Sequence, residues 1–230
     1  MQTIGLIGGL SWESSAQYYR IINQQVRARL GGVHSAKSLM VSVDFGEVEA
    51  LQHAGKWARL GDMMAAAARQ LEAGGADFVV LATNTMHILA DRIEAAVAIP
   101  LLHIADPCGA AIRAAGLSRV ALTGTRFTME GPFYRERLAE RFGIECLLPE
   151  EDERAEIHRI IYEELVAGEV RESSRERLNA ILANLADRGA EGVILGCTEI
   201  MLLARQEDSA LPLFDTTTLH AVAAVERALS

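Results

Sequence analysis

Cysteine is scarce in this chain: Cys108, Cys146 and Cys197 are the only three, unevenly placed and without a CxxC pair. That excludes a disulfide framework and a paired-cysteine zinc site, and leaves free thiols, any of which can be reactive. Positive charge is short as well. With 22 Lys and Arg against 31 Asp and Glu, the net charge is −9, which opposes general affinity for nucleic acid or an anionic membrane, because both demand a basic face. No apolar run approaches the roughly 18 residues of a membrane span, and MQTIGLIGGL has no basic segment ahead of its apolar stretch. These absences point to a cytoplasmic protein with a small-molecule partner. Metal-binding spacings are missing too: His87 and His103 form neither HxH nor HExxH, so each is read as a packed or hydrogen-bonded histidine and no metal is expected. Gly5, Gly8 and Gly9 do not spell GxGxxG. They are read as a turn that lets a ligand or backbone approach closely, and a nicotinamide-dependent dehydrogenase is disfavoured.

What is present is alternation. Half of the 230 residues are hydrophobic, enough for a sizeable core. Short apolar runs (TIGLIGG, SLMVSVDF, FVVLAT) alternate with amphipathic stretches near Ser14 to Leu30 and Ala58 to Ala73. Strands apolar on both faces and separated by helices predict an α/β fold with a parallel sheet. The chain also repeats itself. GADFVVLATNT from Gly75 aligns without a gap on GAEGVILGCTE from Gly189, placing Thr83 on Cys197 at an offset of 114 residues. TIGLIGG echoes RVALTGT at Arg119, YYR at Tyr18 echoes FYR at Phe133, SLMVSVDF echoes IECLLPE, and IPLLHIAD at Ile99 echoes LPLFDTTT at Leu211. Two similar lobes are expected, each a parallel sheet flanked by helices: residues 1–101 with 213–230, and residues 102–212. No linker or low-complexity tract separates them, so close packing is expected, with the final helix, Thr217 to Leu229, on the first lobe. The segment PEEDERAEIHRIIYEEL from Pro149 reads as a loop and a solvated helix face.

Ligands of parallel α/β sheets bind beyond the carboxyl ends of the strands. Two facing lobes would bring Gly8-Gly9-Leu10, Thr83-Asn84-Thr85, Gly124-Thr125 and Cys197-Thr198-Glu199 into one cleft. Cys197 follows Val193-Ile194-Leu195-Gly196 and precedes an expected helix through about Arg205, a place where helix amides favour a thiolate and the sulfur can act as nucleophile or base. Against this stands a small buried core residue, the reading given to Cys108 and Cys146. Thr83, Asn84 and Thr85 suit N-capping of an expected helix from Met86 to Ala96. The repeat adds a second role, because hydroxyls beside helix amides also make a carboxylate site.

IGLIGGLSWESS, DFGEVEALQ, TNTMH and GCTE, in this order and spacing, resemble the cofactor-independent aspartate/glutamate racemase family, most closely its bacterial L-aspartate/glutamate-specific branch, over essentially the whole chain. The resemblance implies a two-lobed, pseudo-symmetric enzyme that needs no pyridoxal phosphate and forms a homodimer. It further implies two opposed cysteines, one per lobe, of which one removes the Cα proton while the other protonates the opposite face. Cys197 matches the second-lobe cysteine. Thr83 replaces the first, which implies a hydroxyl, or a water it holds, as proton donor and a bias from the L- toward the D-isomer. The substrate's carboxylate and amino groups fall to Asn84, Thr85, Thr125 and Thr198, with Leu10, Gln52 and Glu199 completing the substrate-contacting set. Gln52 and Ala167 stand where many relatives carry arginine and lysine, which weakens the grip on a side-chain carboxylate. The alternatives are related isomerase or hydantoin racemase chemistry on the same fold, and a non-catalytic amino-acid-binding protein.

Overall fold

The structure, a computed structural model, describes all 230 residues. The chain divides into two compact units, one made of Met1–Ile104 with His220–Ser230 and the other of Ala105–Leu219. The first contains strands β1 (Ile4–Gly8), β2 (Ser38–Ser42), β3 (Phe78–Leu81) and β4 (Leu101–Leu102) in the order β2-β1-β3-β4. The second contains β5 (Arg119–Gly124), β6 (Glu145–Leu147), β7 (Val193–Gly196) and β8 (Leu213–Asp215) in the order β6-β5-β7-β8. All pairings are parallel. The register carries the sequence repeat into three dimensions: Ile7 pairs with Leu81 as Thr123 pairs with Leu195.

The central strands β1, β3 and β7 are apolar and buried along their whole length, as strands covered by helices on both faces are. In the first unit α3 (Trp57–Ala73) places Leu60, Met64, Ala68 and Leu71 against Ile7, Val79 and Leu81. On the other face α1 (Trp12–Leu30) and the last helix supply Tyr18, Ile22, Val26, Ala221, Ala224 and Val225 to Ile4, Leu6, Phe78 and Val80. Successive strand residues thus feed opposite layers, as the pleat requires. In the second unit α8 (Glu151–Glu163) and α9 (Glu172–Asp187) cover Ala121, Val193 and Leu195. The remaining helices are α2 (Phe45–His53), α4 (Ala90–Glu94), α5 (Ala105–Ala114), α6 (Arg126–Glu130), α7 (Pro132–Phe142) and α10 (Thr216–Leu229). None is long and apolar enough to cross a membrane.

Two expected helices are not formed as such. Where a helix from Met86 to Ala96 is predicted, a 3-10 turn spans Thr85–Leu89 and only Ala90–Glu94 is α-helical. The cause is local. An α-helix would give the Thr83 carbonyl to the His87 N–H, but the His87 ring takes that carbonyl through Nδ1 at 2.7 Å, and the His87 N–H turns to the Asn84 carbonyl at 3.1 Å. The predicted helix through Arg205 is likewise a 3-10 turn, Ile200–Leu202, followed by another at Gln206–Asp208. There Gln206 accepts from the Leu213 N–H and donates to the Leu211 carbonyl, steering the chain into β8.

Candidate active site

In both sheets the strand order reverses between the first and third strands of the repeat, β1/β3 and β5/β7. A parallel sheet opens a crevice at such a switch point, outside the carboxyl ends of the strands. The segments leaving those four strands are the ones singled out in the sequence.

After β1 the chain turns sharply into α1. Gly9 has φ +79°, and a Cβ there would lie 2.1 Å from the Val43 carbonyl oxygen, so no other residue fits. The Gly9 N–H donates to Ser15 Oγ at 2.8 Å, and that hydroxyl donates to the Ser11 carbonyl at 3.0 Å. Ser11 caps α1, its Oγ accepting from the Ser14 N–H. Leu10 packs its side chain into the core with Val48 and Leu60. Past β3, the Thr83 N–H bonds the Leu81 carbonyl at 2.8 Å. Asn84 and Thr85 are buried and Thr83 is half-buried. Asn84 has helical dihedrals and makes no side-chain cap hydrogen bond, so the capping role expected of this cluster is not what holds it. Gln52, near the end of α2, is buried and donates to Met86 Sδ at 3.2 Å, which brings it beside the same turn.

In the second unit Thr125 caps α6, its Oγ1 accepting from the Thr128 N–H. Gly196 closes β7 where a Cβ would meet the Thr123 carbonyl at 2.4 Å. Cys197 comes next, 7 % exposed and packed among Leu195, Ile200 and Leu203. Its Sγ donates to Glu199 Oε2 at 3.1 Å, and the Thr198 hydroxyl donates to the same oxygen at 2.7 Å. Burial and the Glu199 carboxylate hold the thiol well above its ordinary value of 9.0; the amides of Glu199 and Ile200 pull the other way and are outweighed. The expected lowering at a helix start is therefore reversed. The turn amides are present, but burial and the neighbouring Glu199 carboxylate outweigh them. Glu199, read from sequence as a substrate contact, is the thiol's partner. Cys108 and Cys146 are each pushed to about 12, chiefly by burial.

The structure brings Thr83, Asn84, Thr85, Gln52 and the Gly9 turn to one sheet's switch point, and Thr125, Cys197, Thr198 and Glu199 to the other's. His87 was not among the site residues expected, yet its ring bonds the carbonyl of Thr83 itself. The one signal in sequence was its spacing of four residues from Thr83, which also fits an ordinary helix. No group of three or more His, Cys, Asp or Glu side chains is placed to hold a metal ion.

A family model for Asp/Glu/Hydantoin racemases matches residues 7–224. The chain belongs to that family. A Yersinia pestis protein, provisionally assigned as an Asp/Glu racemase, is similar to this racemase-family chain at 49 % identity over 100 % of both chains, with a TM-score of 0.94. An aspartate racemase homologue from Pyrococcus horikoshii OT3 is 32 % identical over 100 % of both, with a TM-score of 0.86. The aspartate racemase of Picrophilus torridus, 19 % identical over 99 % of this chain and 94 % of its own, shares the fold at a TM-score of 0.74.

Proposed function

We propose that this racemase-family chain inverts the Cα of L-aspartate or L-glutamate without pyridoxal phosphate, using Cys197 on one face of the substrate and Thr83, or a water it holds, on the other. The observation that carries the reading is the Cys197 thiol donating to the Glu199 carboxylate at the carboxyl end of β7, at the repeat position equivalent to Thr83.

A thiol held well above 9.0 is a poor base until its proton leaves, and the 3.1 Å contact gives the proton somewhere to go. The Sγ proton passes to Glu199; the thiolate takes the Cα proton, leaving the electron pair delocalised into the substrate carboxylate. Thr83 Oγ–H, or its water, protonates the opposite face. Solvent then reprotonates the Thr83 side and Glu199 releases the proton it received, so the cycle closes with no net change. General acid–base help of this kind is worth roughly 10²–10⁴-fold. Independence from pyridoxal phosphate fits the lysines present. Lys37 and Lys56 are the only two, and both are exposed and lie outside the strand-end segments, whereas that cofactor needs a lysine to form its Schiff base.

The two enantiomers have equal free energy, so kcat/KM for net conversion is the same in both directions. The preference for the L-isomer as substrate expected from replacing a cysteine with Thr83 therefore resides in Cα proton exchange and in kcat and KM taken separately. In deuterated water with no added cofactor, L-aspartate or L-glutamate loses its Cα proton signal and Cys197→Ser abolishes the loss. Absence of exchange with both amino acids contradicts the reading. Hydantoin racemisation is the second reading, favoured by the neutral Gln52 amide beside the Thr83 turn. Exchange confined to a 5-substituted hydantoin selects it.

A further inference from the structure

His87 is 1 % exposed and bonds two backbone groups that are distant in sequence. Its Nδ1 meets the Thr83 carbonyl at 2.7 Å, and the Ile104 N–H donates to its Nε2 at 3.1 Å. An amide N–H only donates and a carbonyl only accepts, so Nε2 carries a lone pair and the ring proton sits on Nδ1, given to Thr83. The ring is packed against His103 at 4.5 Å and His220 at 5.9 Å between centroids. At the other end of the Thr83 peptide, its N–H closes a three-residue turn onto the Leu81 carbonyl at 2.8 Å. Both backbone groups of Thr83 are thus held, and its side chain is the half-buried one between buried neighbours Ala82 and Asn84.

The second unit does this differently. There the equivalent carbonyl, of Cys197, receives the Ile200 N–H at 3.3 Å, and the residue four positions on is Met201, which has no N–H or O–H to donate. The histidine clasp therefore belongs to the half of the repeat whose candidate proton donor is a hydroxyl and is not part of the duplicated framework.

We propose that His87 is a positioning residue that fixes Thr83, or a water it holds, for protonation of the substrate. This rests on the racemase reading above. A hydroxyl delivers a proton along one direction, and a displacement of about 1 Å can cost about 100-fold. The clasp ties the turn after β3 to Ile104, just past β4, so the Thr83 backbone from which the hydroxyl projects is anchored at both strand ends.

The test uses the full chain with His87→Phe, which fills the space without the hydrogen bonds, and His87→Gln, which offers one donor and one acceptor. His87→Phe lowers D-isomer formation about tenfold while exchange of the L-isomer Cα proton, the work of Cys197, changes less than about twofold. A tenfold loss corresponds to about one hydrogen bond. His87→Gln recovers D-isomer formation to within about threefold of the native rate. Three-bond couplings report one Thr83 χ1 rotamer in the native chain and His87→Gln, and averaging in His87→Phe. Equal losses of exchange and D-isomer formation, or an unchanged rotamer in both variants, overturn the proposal. So does a long-range ¹H–¹⁵N spectrum of the native protein that places the His87 proton on Nε2, whether or not either variant folds. Should the native chain catalyse no exchange, the racemase reading fails, and the Thr83 rotamer alone decides the positioning claim.

Discussion

Cys197 and Glu199 sit two residues apart, and the 3-10 turn that follows lets the carboxylate fold back onto the sulfur. The sequence marks Cys197 through the strand before it and the polar residues after it. It does not show where the Glu199 side chain points, because adjacency in a chain leaves direction open until the turn type is known. The sign of the thiol shift was equally hidden, since turn amides are legible locally whereas burial comes from α8 and α9, far away in sequence. Glu199→Gln separates the carboxylate's two effects. It removes a negative neighbour, which lowers the thiol's pKa, and removes the proton acceptor. Because burial still holds the thiol up, exchange of L-aspartate near neutral pH falls roughly 100-fold and recovers as pH rises through the thiol's own ionisation. A pH–rate profile of the variant superimposable on the native one contradicts the Cys197–Glu199 proton transfer.

At the scale of elements, the apolar strands, α1, α3 and the terminal helix are legible because period and length agree with tertiary packing. Alternating strand residues feed two covered faces, and the repeat predicts the register relating Ile7–Leu81 to Thr123–Leu195. The turns after β3 and β7 are where local reading fails. A run such as NTMHILADRIEAA has helical periodicity throughout, and only the His87 side chain, by taking the carbonyl that the helix would use, tightens its first turn. The β1–α1 turn is the opposite case. Its glycines announce a close backbone approach, and the structure finds one at Gly9. Gly9→Ala imposes φ +79° on an alanine and drives its Cβ into the Val43 backbone. Urea denaturation should show a loss of at least about 2 kcal/mol; a loss below about 0.5 kcal/mol contradicts the close approach.

Over the whole molecule, the duplicated α/β unit and its family membership were both readable from the sequence, because fold class follows from alternation and repetition along the entire chain. Proton linkage is a whole-molecule property that was not readable. Cys108 keeps its proton in the folded state up to about 12 against an ordinary 9.0. The unfolded chain releases that proton first, so stability is fully present below pH 9.0 and declines as pH rises from there toward about 12. The decline is about 1.4 kcal/mol per pH unit for each such thiol. Cys108→Ala flattens that slope in denaturation curves compared at moderately and strongly alkaline pH; an unchanged slope contradicts the linkage. In the proposed reaction one carbon is worked from two faces, by a thiolate base at Cys197 and by a hydroxyl at Thr83. The most direct measurement follows deuterium at Cα from each enantiomer separately in deuterated water. The L-isomer should gain deuterium ahead of its conversion, whereas the D-isomer should gain none faster than it becomes the L-isomer. Equal exchange of both enantiomers ahead of conversion would contradict the assignment of Thr83 to the weaker face.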